Sequence, residues 1–390
     1  MKILYLTLNF RENAGTLYTD LINGLLERGH EVTVVRSKPE SDTALDVKSE
    51  GFRILNVKSP DPFAKSLIKK AINQFFLTGS FKRACKKFLN DESFDLILYA
   101  TPPVTLANLI IDLKKKYRAK TFLMLKDIFP QNAVDLGFFK KRSLPYLMYR
   151  EKEEKYYEIS DWIGCMSEGN RKHLIENNPK ISHESIYIFP NSISTKNLPL
   201  VPSKVFNKQI TFMFGGNLGK PQAIKFLLAV AEKLVNYEGA HFCIVGKGTE
   251  SDYIKDRVKS QNLRNVTYKD RLPQKEYEEL LSHADVGLIC LDHRFTIPNI
   301  PSRLQAYLKL AKPILAFTDR CTDLKDMIEK NDCGWWAASD EVNSAAELVK
   351  HICEHPDEIT RKASHCQDYL RRDFDVMDNV RLLEKLMKIE

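Results

Sequence analysis

The chain reads as an α/β protein built from two Rossmann-like βαβ domains. Three observations point there. Short apolar runs of strand length alternate with amphipathic helical stretches along nearly the whole sequence, a stretch rich in Pro, Ser, Asn and Lys interrupts the alternation near residue 200, and a glycine-rich turn opens the second half at TFMFGGNLGKPQ, Thr211 to Gln222. With 390 residues, 43% of them apolar, the chain is too long for one ordinary core and ample for two. The expected division is 1–195 for the first domain and 196–372 for the second, with a C-terminal helix within 373–390 packing back on the first.

Composition narrows the classes. No apolar run approaches the roughly 18 to 20 residues that span a bilayer, and the opening MKILYLTLNF lacks a leader shape because Arg11, Glu12 and Asn13 follow at once. A cytoplasmic protein is expected. The 8 cysteines form no Cys-x-x-Cys pair, and Cys165, Cys243 and Cys290 lie in strand-like runs, which suits buried thiols in a reducing compartment and gives no metal site. The net charge of +8 comes without any nucleic-acid motif. An anionic membrane or a phosphorylated substrate fits that charge instead.

In the first half, Lys2 to Leu8, Leu17 to Arg28 and Glu31 to Val35 form a strand, a helix closed by Gly29, and a strand. The loop Asn9 to Thr16 leaves the C-terminal end of a strand, where ligands bind in open α/β sheets, and Gly15 is its candidate for close backbone approach or else a simple turn residue. Phe63 to Leu89 has no acidic residue. It interleaves Lys69, Lys70, Lys82 and Arg83 with Ile68, Ile72, Phe75 and Phe76, and Gly79 is expected to split it into two short helices. A basic face beside an apolar stripe suits a helix lying in a membrane surface, the alternative being a surface helix packed on its own core. Asp127 follows the strand Lys120 to Leu125, placed either as a cleft carboxylate that binds or deprotonates a hydroxyl or as a helix cap. A long helix is expected from Leu144 to Ser160.

The second half turns on Gly215 to Lys220. A strand ending in glycines, with a helix expected from Pro221 to Val235, suits a phosphate, because glycines admit the backbone closely, helix N-terminal N–H groups lack partners and Lys220 adds charge. The turn matches neither the Walker nor the Gly-x-Gly-x-x-Gly pattern. A second anion site is expected where Pro301-Ser302-Arg303 opens a helix, combining free N–H groups, a hydroxyl and a guanidinium fork.

Taken together these motifs resemble the GT-B glycosyltransferases of family 4, over nearly the whole chain. The shared stretches are MKILYLT, Arg28 to Val35, Phe189 to Asn191, Gly216 to Gln222, Val245 to Gly248, and Pro301 to Ala316. The segment Lys126 to Pro130 resembles the Arg-Asp-Leu-Trp-Pro stretch of the subgroup acting on polyprenyl-linked O-antigen and capsule precursors. The resemblance implies two domains facing across a cleft and transfer, with retention and without a metal or other cofactor, of an N-acetylated sugar from a UDP-sugar. It further implies a lipid-linked acceptor at the inner face of the plasma membrane. Lys220 and Arg303 then neutralise the diphosphate, Asp127 serves the acceptor side, and Gly15, Gly216, Asn217, Gly219, Gly246, Pro301, Ser302 and Gln305 surround the donor. The glutamate that grips the ribose in this family falls at Ala306, with Gln305 beside it. A nucleotide-sugar 2-epimerase of the same architecture and a non-catalytic membrane-bound interaction protein are the rival readings.

Overall fold

The computed structural model describes residues 1–12, 17–61, 67–200 and 209–388; the side chains of 67–72, 74 and 75 fall outside that description. The chain separates into two compact units, Met1–Ser194 with Val376–Glu390, and Thr195–Asp375.

The first unit runs β1 (Lys2–Thr7), α1 (Leu17–Glu27), β2 (Glu31–Ser37), β3 (Ala44–Ser49), β4 (Phe52–Val57), α2 (Leu67–Phe88), β5 (Leu96–Ala100), α3 (Ala107–Tyr117), β6 (Lys120–Leu125), α4 (Gln131–Asp135), α5 (Leu144–Ile159), β7 (Trp162–Cys165), α6 (Glu168–Asn177) and β8 (Ile186–Ile188). Its sheet has the order β3-β4-β2-β1-β5-β6-β7-β8. Helical crossovers cover both faces, so β1, β5 and β6 are continuous buried apolar runs. The hairpin of β3 and β4 gives the sheet its antiparallel edge. It escapes the sequence reading because β3 buries nothing and shows no apolar pattern.

Helix α2 passes through Gly79 unbroken, contrary to the expected split. A lone interior glycine costs about 1 kcal/mol, and burying Leu77, Phe81, Ala84 and Cys85 on one face outweighs that. Thr78 Oγ1 also ties the helix to Thr105 O at 3.0 Å.

The second unit runs β9 (Ile210–Asn217), α7 (Ile224–Lys233), β10 (Ala240–Lys247), α8 (Ser251–Ser260), β11 (Val266–Lys269), α9 (Gln274–His283), β12 (Val286–Cys290), α10 (Arg303–Lys309), β13 (Ile314–Thr318), α11 (Leu324–Lys330), β14 (Gly334–Ala338), α12 (Val342–Glu354) and α13 (Pro356–Asp373). The sheet order is β11-β10-β9-β12-β13-β14, with every strand pair parallel.

The final helix, α14 (Val376–Leu386), returns to the first unit. It lies against α1, where a Cβ at Gly24 would come within 3.1 Å of Val380. Glu384 accepts from Arg28 Nε at 3.0 Å and lies 3.0 Å from His30 Nε2, so both polar side chains of the Arg28-Gly29-His30 motif serve this docking.

Candidate functional site

Parallel pairing of β9 with β10 sets Gly216 opposite Gly246 and Asn217 opposite Lys247. The two backbones run so close that a Cβ on Gly246 would lie 1.9 Å from Gly216 O, and one on Gly248 would lie 2.2 Å from Leu218 O. Gly216 and Gly246 also hold φ of +138° and +154°. Gly246 therefore supports the glycine turn from behind, backbone on backbone. Bonds from Leu218 N to Lys247 O, 3.3 Å, and from Glu250 N to Leu218 O, 2.8 Å, stitch the two loops together.

Two expectations about this turn need correction. Lys220–Gln222 forms a separate tight turn, Ala223 follows at a φ of +44°, and α7 starts only at Ile224, so Lys220 does not stand on an α-helix N-terminus. The Gly219 N–H donates to Gln222 Oε1 at 3.1 Å, and Asn217 Nδ2 donates to the same oxygen at 3.4 Å. Gln222 thus holds the turn from within and takes donors expected to face a ligand. Gly216 and Asn217 remain exposed.

Arg303 is the first residue of α10, behind a half-buried Pro301 and an exposed Ser302 whose hydroxyl caps nothing. Its guanidinium lies over Phe214, 4.3 Å from the ring centroid, and a Cβ on Gly216 would stand 3.2 Å from Nη2. Nη1 is buried and has no hydrogen-bond partner among the described residues. The loop after β12 is tied to the Lys220 turn by Asp292 N donating to Pro221 O at 3.0 Å. One sheet edge, at the C-terminal ends of β9, β10 and β12, therefore gathers Gly216, Asn217, the Lys220 turn, Gly246, Ser302 and Arg303. Gln305 is not part of it: the residue is fully buried and both polar atoms of its amide are enclosed.

Sequence reasoning missed Phe214 and Tyr277. A Cβ on Gly215 would meet the Tyr277 hydroxyl at 2.1 Å, so the tyrosine fills the space the glycine leaves. Burial raises the Tyr277 phenol and the nearby Arg303 charge opposes that rise. The signal for Phe214 was its place directly before the paired glycines; Tyr277 had none.

In the first unit, Asp127 follows β6 on a pinned backbone. Thr101 Oγ1 accepts from Lys126 N at 3.1 Å and Asp127 N at 3.2 Å and donates to Asp127 O at 2.9 Å. Burial pushes the Asp127 carboxyl up to about 6, and the same cause brings Lys126 down to about 7. Tyr18 is raised to about 12, first by burial and then by the Asp127 charge. Helix α4 starts at Gln131, behind Pro130 and without a side-chain cap, so the capping alternative for Asp127 falls away. Gly15 lies outside the described residues.

Of the residues read as membrane-facing, the side chains of Lys69, Lys70 and Phe75 are outside the description. Phe76 is exposed, Lys82 pairs with Asp112 at 2.6 Å, and Arg83 Nη2 donates to Ser80 Oγ at 3.4 Å. From Leu77 onward the apolar stripe faces the unit's own core. No helix among the described residues is long and apolar enough to cross a membrane.

Two parallel-sheet α/β units, the second carrying a cationic glycine edge, define the GT-B architecture. Residues 201–372 match the model "Glycosyl transferases group 1" and residues 14–197 match "Glycosyltransferase Family 4". The chain belongs to the group 1/family 4 glycosyltransferases. It is 27% identical, over 76% of its length and 75% of the relative's, to the probable glycosyltransferase WbjE of Pseudomonas aeruginosa. Among solved structures it is similar to the sucrose-phosphate synthase of Thermosynechococcus elongatus, with a TM-score of 0.79 at 14% identity and all of both chains covered. The HepE protein of Anabaena in complex with UDP-glucose gives 0.70 at 14% identity, again with all of both chains covered.

Proposed function

We propose that the protein transfers a sugar, an N-acetylated amino sugar, from a UDP-sugar to a polyprenyl-diphosphate-linked glycan at the inner face of the plasma membrane. The reaction proceeds with retention and without a metal, in the synthesis of a bacterial surface polysaccharide. The observation that carries the donor side is Arg303: a guanidinium seated on an arene beside Gly216, whose buried Nη1 has no hydrogen-bond partner among the described residues, supplies the planar charge that a diphosphate pairs with. That HepE is complexed with UDP-glucose supports UDP as the nucleotide.

In transfer, the bond from the sugar's anomeric carbon to the β-phosphate oxygen breaks while the acceptor oxygen bonds to that carbon. Negative charge grows on the departing phosphate, and the positive charges of Arg303, seated on Phe214, and of Lys220 stabilise it. This is the role a divalent cation fills in other transferases. Asp127, raised to about 6, is ionised at neutral pH yet basic enough to take the proton of an acceptor hydroxyl.

Calorimetric titration with UDP and a panel of UDP-sugars, followed by mass spectrometry of the products, tests this reading. Release of UDP with sugar on water or an acceptor supports it. Recovery of an isomerised UDP-sugar would favour the epimerase, and no binding of any uridine nucleotide would leave only a non-catalytic role.

A further inference from the structure

The first unit carries a second basic and apolar surface, on the loop before α5 and its first turns. From Leu136 to Arg150 the sequence LGFFKKRSLPYLMYR contains no acidic residue and includes Lys140, Lys141, Arg142 and Arg150. A stretch this apolar ordinarily turns its large side chains inward. Here Leu144 is 72% exposed, Leu147 52%, Met148 51% and Phe138 52%. Leu144, Leu147 and Met148 stand at i, i+3 and i+4 on one side of the first turns of α5. Lys140, Lys141 and Arg142, all exposed, occupy the loop just before them.

The outward pose is held from behind. Phe139 and Tyr149 stack with centroids 5.9 Å apart, and Phe129 meets both rings edge-on at 6.1 and 4.9 Å. Phe138 N donates to Ala133 O at 2.8 Å, fixing the loop on α4. An ordered aromatic layer thus presents a contiguous apolar cluster to solvent, which soluble surfaces avoid unless something covers it.

The charge pattern selects the cover. A second copy packed on the same patch about a two-fold axis would set cation against cation. A bilayer containing anionic lipid offers negative headgroups above an apolar layer, matching three adjacent cations beside Leu144, Leu147 and Met148. We infer that residues 136–150 dock the first unit on an anionic bilayer. The inference rests on the lipid-linked acceptor proposed above for its purpose, and it moves the principal membrane contact from α2 to the start of α5. Phe129, in the aromatic layer, is two residues from Asp127, so docking holds the proposed acceptor-side carboxylate at a fixed place relative to the bilayer.

Co-sedimentation of the full chain with vesicles of phosphatidylcholine alone, or mixed with phosphatidylglycerol, tests the inference. The protein should sediment with the anionic vesicles and not the neutral ones, and high salt should release it. Combined Leu144→Asp, Leu147→Asp and Met148→Asp should lower the bound fraction at least about tenfold, because exposed apolar anchors are lost. Combined Lys140→Glu, Lys141→Glu and Arg142→Glu should do the same, while Phe76→Asp on α2 has a much smaller effect. A milder pair, Leu144→Ser with Met148→Gln, serves if the aspartate variant melts early. Wild-type sedimentation unaffected by all of these, no sedimentation at all, or loss in Phe76→Asp alone overturns the inference. A dimer in sedimentation equilibrium that the same variants split, without vesicle binding, overturns it in favour of self-association. UDP-sugar hydrolysis in vesicle-free buffer reports on the transferase reading separately, and its absence in the wild type would sink that reading while leaving the docking result standing.

Discussion

The Arg303 guanidinium sits over the Phe214 ring, 4.3 Å from its centroid, so a charge from the start of α10 is laid across the last apolar residue of β9 before its glycines. The glycine pair leaves room for it: Nη2 is 3.2 Å from the place a Gly216 Cβ would take. Strand, turn and helix start are thereby combined into one cationic edge within a single sheet.

Arg303→Ala should lower the rate of UDP release from the preferred donor by about 10²-fold or more, the usual cost of removing one fixed donor to a developing oxyanion. Arg303→Lys should recover little, since an ammonium keeps the charge but neither stacks as a plane nor offers a fork. Lys220→Ala should also slow release, and Phe214→Leu less than either. Circular dichroism should show every variant folded. Wild-type turnover in both Arg303 variants would remove the diphosphate role.

Gly246→Ala tests whether this glycine acts through the backbone. Its Cβ would stand 1.9 Å from Gly216 O at a φ of +154°, so β9 and β10 must separate or the residue must leave its conformation. A loss on the order of 2–4 kcal/mol is expected, from strain and overpacking together. Thermal unfolding and UDP titration should show lower stability together with weaker nucleotide binding. A variant as stable as wild type that binds UDP equally well would mean that the strands part at little cost.

The βα alternation was legible because parallel strands and their covering helices write opposite periodicities into the sequence, and the Pro301-Ser302-Arg303 start was legible as a helix opening. What was not legible depended on contacts remote in sequence. Nothing local says that Gln222 turns back onto Gly219, or that Ala223 adopts a φ of +44° and delays α7 to Ile224. Gln305 looked like a ligand-facing amide because it neighbours Ala306, yet the register of α10 turns it inward. The patch at Leu144 was written in the sequence as an apolar, acid-free run. It was read as an ordinary helix because exposure is decided by what packs against α5.

The docking of α14 yields a stability prediction. Hydrogen bonding to Arg28 first, and to His30, holds the Glu384 carboxyl below its ordinary range. A depressed carboxyl stabilises the fold at pH above its unfolded value and loses that contribution as pH falls through the folded one. Glu384→Gln should therefore melt earlier than wild type at neutral pH, by about 1–3 kcal/mol for an enclosed His30 nitrogen deprived of its charged partner. The gap should narrow toward pH 3 in denaturant titrations. Equal midpoints at neutral pH would show that α14 is held by its apolar face alone.

Asp127 gives the pH signature of the proposed chemistry. Burial raises its carboxyl from 3.8 to about 6, so the basic form needed to accept a proton appears only as pH rises through about 6. The rate of transfer to acceptor should climb across that interval and level off above it. Asp127→Asn should be slow and should lack the acid limb, whereas donor binding should hardly change. Stability should move in the opposite sense. A folded state that binds its proton more tightly than the unfolded chain is favoured below 3.8, and the advantage disappears as pH rises through about 6. The neutral Asn isostere should consequently match wild type in acid and exceed it in stability near pH 7, when urea midpoints are compared. A rate profile whose acid limb survives in Asp127→Asn would assign the limb to another group, and a destabilised Asn variant at pH 7 would show that the ionised carboxylate itself supports the fold.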